Sequence, residues 1–429
     1  MRVLMRSWGS CFGRGRGVRQ DLANRRQLRM VSPSIVGVCR RTLSAPRVGL
    51  RLATTATAGA DHRLVTLLVV AVVRARSVRR RVRSGMTATR ILHVTQVYAG
   101  GISRAITSLV DLMPEAEHHL LWAGYEEPDP AVPYASVHAM PQTPRAMVTA
   151  IRRVRQVVEE VKPDVVHAHS SFGGVYTRLA GIDVPVFYEP HCYKFDDRQQ
   201  NTVKRAIFRL AEKALARRSA RTVVLSPHEE KLAKALDPRA ITHFLPNVAT
   251  ITPTAAHRAT GFETARDVFM IGRLTGQKDP GYFAQVAEEV HTLDPDVTFR
   301  WIGDGDPGMR RRLEDAGVQV LGWLTGDRLA AELSRPALYF HSAHYEGFPL
   351  SLLDAAAFEH PLAVRSIPTF DGMGLPEAET PAESARLIME ILDEDGAARA
   401  RAIASSKNLN HTMNPSVQRD ALVALYGSV

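Results

Sequence analysis

The stretch Tyr345-Glu346-Gly347-Phe348-Pro349-Leu350-Ser351-Leu352-Leu353-Asp354 sets two carboxylates eight positions apart across a Gly-Phe-Pro turn. It follows an apolar run, Pro336 to His341, in which Ala337-Leu338-Tyr339-Phe340 has the length and composition of a buried strand. Leu352 to Phe358 reads as the start of a helix. Glu346 then falls at the carboxyl end of a strand, and Asp354 about two turns into the helix. The backbone N–H groups of Phe348, Leu350 and Ser351 lie at the helix's amino end, where unpaired donors and a positive dipole attract anions. A carboxylate beside such an end suits a ligand that is part polyol and part phosphate, as a nucleotide sugar is.

Outward from this stretch the chain alternates apolar runs with Ala/Arg/Glu-rich segments. Its 429 residues are enough for two or three domains with separate cores. The three cysteines, Cys11, Cys39 and Cys192, show neither metal-ligand spacing nor a paired framework, which points to a reducing compartment. The total charge of +11 misleads. Residues 1–85 hold 19 Arg, no Lys and 2 acids, a net +17, so residues 86–429 carry −6. Nucleic-acid binding is therefore not expected of the body of the chain.

Residues 1–85 are Arg-rich and lack a steady period. Their one apolar run, Leu64 to Val73, is ten residues long, too short to span a bilayer and too far in for a secretory signal. The segment reads as a mis-called start, with translation from Met86, as a disordered basic arm that touches an anionic membrane, or as a specific nucleic-acid binder.

From Thr89 the pattern is regular. Arg90-Ile91-Leu92-His93-Val94 reads as a strand, Tyr98-Ala99-Gly100-Gly101 as a turn, and Ile102 to Met113 as a helix. Strands at 120–123, 164–169, 184–188 and 221–226 alternate with helices at 144–161, 173–180 and 200–218. Asn247 to Ala265 is rich in Thr, Ala and Pro and reads as a linker. A second series follows: Asp267 to Ile271, a Gly272-Arg273 turn, a helix from Pro280 to Leu293, a strand from Val297 to Ile302 ending in Gly303-Asp304-Gly305, then strands at 319–321 and 337–340. Residues 381–429 look mostly helical. The fold expected is α/β, with two facing doubly wound Rossmann-like domains and a cleft between them.

Gly100-Gly101, Asp164-Val165-Val166-His167-Ala168-His169, Gly272-Arg273-Leu274 with Lys278, Gly303-Asp304-Gly305, and Glu346-Gly347-Phe348-Pro349-Leu350 through Asp354 occur in one order. In that order and spacing, residues 88–400 resemble the family-4 retaining glycosyltransferases of the GT-B fold. The resemblance implies an acceptor domain at 86–248, a linker at 249–265, a nucleotide-sugar domain at 266–410, and a terminal helix at 411–429 that crosses back to the first domain.

Arg273 and Lys278, five residues apart after a strand, can grip a diphosphate through charge-assisted hydrogen bonds, and the family uses the matching pair so. It places the first carboxylate, here Glu346, on the donor sugar and the second, here Asp354, on the ribose. Asp354 is one methylene shorter than the Glu usual at that position, and Glu359 stands where relatives often have Gly. A His at the position of His191 lies near the reacting centre in the family. His169, at a neighbouring strand end, also faces the expected cleft, with Gly100, Gly101, Gly272, Gly303, Gly347, Phe348, Pro349 and Leu350 completing the expected donor contacts.

Neither an Asp-x-Asp pair of the kind metal-dependent glycosyltransferases use nor a His/Cys cluster is read in the sequence, so no metal or other cofactor is expected. The basic helix with Lys204, Arg205, Arg209, Lys213, Arg217 and Arg218 reads either as core-packed through Ile207, Leu210, Ala211, Ala214 and Leu215, or as a dock for anionic lipid. The expected activity is transfer from a nucleotide-diphosphate sugar to a glycan, lipid-linked or small acceptor. The expected place is the cytoplasm, including the inner membrane face. A sugar-nucleotide epimerase and a non-catalytic scaffold on the same fold are the alternatives. Replacing Lys278 or Arg273 with alanine should abolish transfer without unfolding the protein.

Overall fold

The computed structural model describes residues 88–124, 126–141, 146–254, 266–393 and 396–429. The readings of residues 1–85 and Met86, and of most of the linker, lie outside them.

The first sheet contains β1 (Arg90–Tyr98), β2 (Glu117–Gly124), β3 (Ser136–Ala139), β4 (Val165–His169), β5 (Val186–Glu189), β6 (Arg221–Val224) and β7 (Thr242–Phe244). All their pairings are parallel, in the spatial order β3-β2-β1-β4-β5-β6-β7. Helices α1 (Gly101–Leu112), α2 (Met147–Val161), α3 (Ser171–Leu179), α4 (Thr202–Leu215) and α5 (Pro227–Leu236) connect them. The second sheet runs β10-β9-β8-β11-β12-β13, also parallel. Its strands are β8 (Asp267–Ile271), β9 (Thr298–Ile302), β10 (Val318–Gly322), β11 (Leu338–His341), β12 (Leu362–Arg365) and β13 (Glu377–Ala378). Helices α6 (Pro280–Leu293), α7 (Pro307–Asp315), α8 (Gly326–Leu333), α9 (Leu350–Ala357), α10 (Pro381–Leu392), α11 (Ala397–Thr412) and α12 (Pro415–Tyr426) complete the chain.

The strands at the heart of each sheet are covered on both faces. Every residue of β4 and β11 is buried, as parallel sheets between helical layers require. Helix starts follow local chemistry. Ser226, Asp279, Asp306 and Asn414 each accept a backbone N–H ahead of a proline in the first turn. Thr380 and Glu383 form a capping box.

Both sheets reverse strand order at one place, between β1 and β4 in the first and between β8 and β11 in the second. Ligands of doubly wound sheets bind at the carboxyl ends beside such a reversal. Gly100-Gly101 and His169 stand at the first reversal, and Gly272-Arg273 and Glu346 at the second.

Helix α12 packs on the first domain. Leu422, Leu425 and Tyr426 share a buried cluster with Ile91, Val165, Phe187 and Val223. Gln418 donates to the Pro246 carbonyl at 2.6 Å.

Helix α4 is turned differently from the core-packed reading. Of its 14 residues only Glu212 and Leu215 are buried, and Leu210 faces solvent. The cause is a polar anchor. Glu212 accepts from Arg178 Nη2 and from the Tyr188 hydroxyl, both at 2.9 Å, so the helix turns this carboxylate inward.

Candidate active site

The Glu346 motif lies where the two domains touch. Helix α9 begins at Leu350, two residues earlier than the sequence pattern indicates, and Leu350 to Ala356 are all buried. The loop before it is tied across the cleft. Lys194 donates to the Tyr345 hydroxyl at 3.1 Å, His344 Nε2 lies 3.0 Å from Asp197 Oδ1, and Asn247 donates to the Phe348 carbonyl at 2.9 Å. Gly347 is required by closeness. A Cβ there would stand 3.0 Å from the Cys192 nitrogen and 3.1 Å from Glu229 Oε1 and the His191 carbonyl carbon.

Glu346 forms an ion pair with Lys278. Gln277 donates to its other oxygen at 3.3 Å, and His341 Nε2 lies 3.5 Å away. Burial opposes ionisation, but the Lys278 ammonium and His341 outweigh it and hold the carboxyl down at about 2. The Glu346 main-chain carbonyl accepts from the Thr369 hydroxyl at 2.6 Å, which fixes the turn. Arg273 is half-buried on the turn that leads to Lys278. Gly303, with φ of 138°, packs so tightly on that turn that a Cβ would fall 2.0 Å from the Gly272 carbonyl oxygen. The structure gives Gly303 this packing duty.

Asp354 is fully buried and both its oxygens are taken. Oδ1 accepts from Thr250 N at 2.7 Å, Thr250 Oγ1 at 3.1 Å and Ile251 N at 3.2 Å. Oδ2 lies 2.5 Å from Arg104 Nη2, on α1 of the other domain. In this arrangement the carboxylate faces the chain between the domains and an arginine. A ribose would have to displace one of them.

The Gly100-Gly101 turn is also occupied. Glu126 accepts the Gly100 N–H at 3.0 Å with both oxygens and the Ser103 hydroxyl at 2.8 Å. Gly101 faces Leu350 across the cleft. No local pattern in the sequence signals this role of Glu126.

His191 and Cys192 follow β5 with φ of 50° and 96°, rare for residues with side chains. Glu229 holds this turn by accepting the Cys192 N–H at 2.7 Å and the Leu225 N–H at 2.9 Å. Burial pushes the Glu229 carboxyl up to about 7, although both N–H groups favour its charge. Both ring nitrogens of His191 are engaged inside the first domain. Nε2 lies 3.0 Å from His169 Nδ1, and Nδ1 lies 3.4 Å from Glu189 Oε1. What the turn offers the second domain is main chain.

The expectation that the chain has no histidine cluster is corrected by the fold. His118, His93, His169 and His191 form one file, with ring nitrogens 3.0, 3.1 and 3.0 Å apart. They come from β2, β1, β4 and the turn after β5, so only strand pairing brings them together. His118 Nε2 donates to the Met113 carbonyl, which can only accept. That polarity passes down the file and leaves His191 Nδ1 without a proton opposite Glu189, unless one further proton is held at that end.

Glu189 Oε2 lies 3.1 Å from His167 Nε2, off the line of a hydrogen bond. Burial opposes the Glu189 charge, yet His191, His167 and His169 hold its pKa well below the ordinary value. Ligand atoms of His93, His167 and His169, and of His169, Glu189 and His191, lie within 4.8 Å of one another, close enough to surround a cation. The imidazoles of the file, however, already bond one another. Replacing Glu189 with alanine should destabilise the protein by about 2–5 kcal/mol, because the truncation leaves a cavity among buried side chains. A thermal melt of the variant checks this, and an unchanged melting temperature would refute it.

Comparison with known proteins gives each domain a family. Residues 100–248 fit the "glycosyl transferase 4-like domain" model and residues 265–402 the "glycosyl transferases group 1" model. Over 242 residues the chain is 27% identical to the Escherichia coli "UDP-Gal:alpha-D-GlcNAc-diphosphoundecaprenol alpha-1,3-galactosyltransferase", covering 49% of this chain and 60% of that one. Over 290 residues it is 26% identical to one of the subunits of phosphatidylinositol N-acetylglucosaminyltransferase from Arabidopsis thaliana, covering 64% and 61%. The match thus spans about three fifths of each of these two relatives.

Among solved structures, sucrose-phosphate synthase from Thermosynechococcus elongatus superposes with a TM-score of 0.67 at 16% identity, over 80% of this chain and 98% of that one. Anabaena HepE in complex with UDP and glucose gives 0.64 at 14%, over 80% and 100%. With two parallel sheets that each reverse strand order once and a family model on each domain, the chain belongs to the GT-B glycosyltransferases of the 4-like and group 1 type.

Proposed function

We propose that the protein transfers a glycosyl group from a nucleoside-diphosphate sugar to a hydroxyl of a lipid-linked acceptor, with retention at the anomeric carbon and without a metal. The observation that carries this reading is the Lys278–Glu346 pair at the second sheet's reversal, whose next residue, Gly347, packs against the His191-Cys192 main chain. A diphosphate would draw Lys278 away from Glu346, and the freed carboxylate would then accept from donor sugar hydroxyls. Arg273 joins Lys278 in stabilising the charge that grows on the leaving diphosphate.

In the reaction the bond from the anomeric carbon to the phosphate oxygen breaks and a bond to the acceptor oxygen forms on the same face. The acceptor proton passes to the departing phosphate. Domain closure excludes water and aligns the partners. The names of the Escherichia coli and Arabidopsis relatives both include a lipid, which supports a lipid-linked acceptor here.

The test is a melting-temperature screen against nucleoside diphosphates and their sugars, followed by product analysis by NMR. A ligand at a hundred times its Kd should add about 2.7 kcal/mol of stability. Stabilisation by one nucleotide class and an axial or equatorial product bond matching the donor is expected. No stabilisation by any member would refute the reading, and donor turnover without acceptor would assign an epimerase instead.

A further inference from the structure

Inside the first domain, metal-ligating side chains crowd around Glu189. His169 Nδ1 lies 3.0 Å from His191 Nε2 and 3.4 Å from Glu189 Oε2. One ligand atom from each of these three residues lies within 4.8 Å of the other two. Donors held by a four-coordinate zinc ion through bonds of about 2.0–2.1 Å stand roughly 3.3 Å apart. The three side chains are thus already spaced as a coordination shell, and each is more than nine-tenths buried.

A second observation is a shortage of protons. Glu189 Oε2 is buried without a hydrogen-bond partner, and His167 Nε2, 3.1 Å away, is unpartnered as well. The atom facing the other oxygen is His191 Nδ1 at 3.4 Å, which the polarity of the histidine file leaves bare. A buried carboxylate opposite a bare imidazole nitrogen calls for positive charge between them. A cation supplies that charge and also settles the tautomers. With His169 Nδ1 and His191 Nε2 turned to a metal, the His191 proton moves to Nδ1, on the side of Glu189 Oε1. His169 Nε2–H still donates to His93 Nδ1, the kind of support that a metal-bound histidine takes through its other nitrogen. His167 Nδ1 accepts from the Tyr426 hydroxyl at 2.7 Å, which leaves its Nε2–H toward the carboxylate. Only the hydrogen bond between His169 and His191 is given up.

We propose that His169, Glu189 and His191 bind a divalent transition-metal cation, zinc, with water in the fourth place. Two imidazoles and one carboxylate are a donor set that zinc takes in this way. The cation joins β4, β5 and the turn that follows. His191 and Cys192 hold φ of 50° and 96° in that turn, and Gly347 of the second domain packs on their main chain. A metal there fixes the surface on which the Glu346 loop closes. The transfer reaction is assigned no metal, and the proposal does not rest on the nucleotide screen.

The experiment strips the untagged full chain with a chelator and titrates it with zinc, read by calorimetry, metal analysis and X-ray absorption. One zinc should bind per chain, and the melting temperature should rise with it. The absorption spectrum should show nitrogen and oxygen at about 2.0–2.1 Å with imidazole scattering beyond. Glu189→Gln and His191→Gln should each weaken binding at least about a hundredfold, the upper end of what loss of a merely supporting partner costs. If either variant fails to fold, the wild-type spectrum decides.

No zinc retained by the wild type would overturn the proposal and leave a shared proton to neutralise Glu189. Binding unaltered in both variants would overturn it as an adventitious ion only, held by residues elsewhere in the chain. A shell containing sulfur at about 2.3 Å would overturn it by moving the metal to the cysteines.

Discussion

Lys278→Ala should lower the rate of sugar transfer about a hundred- to a thousand-fold, the loss expected when one preorganised charge at a leaving group is removed. The variant should also change how stability depends on pH. In the wild type Glu346 is buried, yet the Lys278 ammonium and His341 keep its pKa at about 2. A depressed carboxylate adds stability above its ordinary value, and that contribution is lost as pH falls through 4.5 toward 2.

Without Lys278, burial dominates and pushes the Glu346 pKa up. The sign then reverses, and the variant loses stability as pH rises from the ordinary carboxylate range through the raised value. At pH 8 the loss should be about 3 kcal/mol, because one partner of a buried pair has been removed. The expectation that Lys278→Ala leaves the fold unaffected is thus narrowed to acidic conditions. K278A/E346Q should recover most of the stability at pH 8 while remaining inactive. Melting curves at pH 5 and pH 8, run beside a transfer assay, read both effects. Wild-type turnover in the single variant would remove Lys278 from the reaction, and no rescue in the double variant would mean that the pair does not set stability.

The parts of this site legible in sequence are those whose chemistry is local. Fully apolar runs such as Ala337 to Phe340 read as buried strands because parallel strands are covered on both faces. Gly-turns at their ends mark where the chain can approach a ligand. What is not legible depends on distant partners. Edge strand β3 has an alternately exposed pattern and only four residues, so nothing distinguishes it from loop. Helix α7 buries only Leu313 and lacks an apolar period. The histidine file joins residues 93, 118, 169 and 191, and no local spacing signals it.

The apolar spacing of helix α4 points Leu210 and Ala214 inward. Its orientation is set instead by Glu212, whose partners lie 34 and 24 residues earlier. Glu126 and Glu229 escape a sequence reading for the same reason, since each acts by accepting backbone N–H groups of a turn far away in sequence.

Asp354→Asn should destabilise the protein by about 3–5 kcal/mol and loosen the two domains from one another. The acceptor count is the reason. Oδ1 takes three donors from Thr250 and Ile251, and Oδ2 pairs with Arg104. An amide of the same shape has one acceptor oxygen. If that oxygen replaces Oδ1, the NH2 group points at the Arg104 guanidinium. If it replaces Oδ2, the NH2 group points at three donors. Either placement sets donors against a donor in a fully buried site, and the charge pairing with Arg104 is lost in both.

Arg104→Ala removes only the cross-domain half and leaves the Thr250 and Ile251 bonds in place. Its melting temperature should fall less, and its main effect should be a raised donor KM if closure needs the arginine. The resemblance to family-4 enzymes implies a different result, because there the second carboxylate of the motif serves the ribose. A carboxylate that serves mainly the ribose would make Asp354→Asn raise the donor KM at nearly unchanged melting temperature. Asp354 is one methylene shorter than the usual Glu, and its oxygens already meet Thr250, Ile251 and Arg104. Melting and donor KM measured on both variants therefore decide whether this position holds the nucleotide or the junction between the domains.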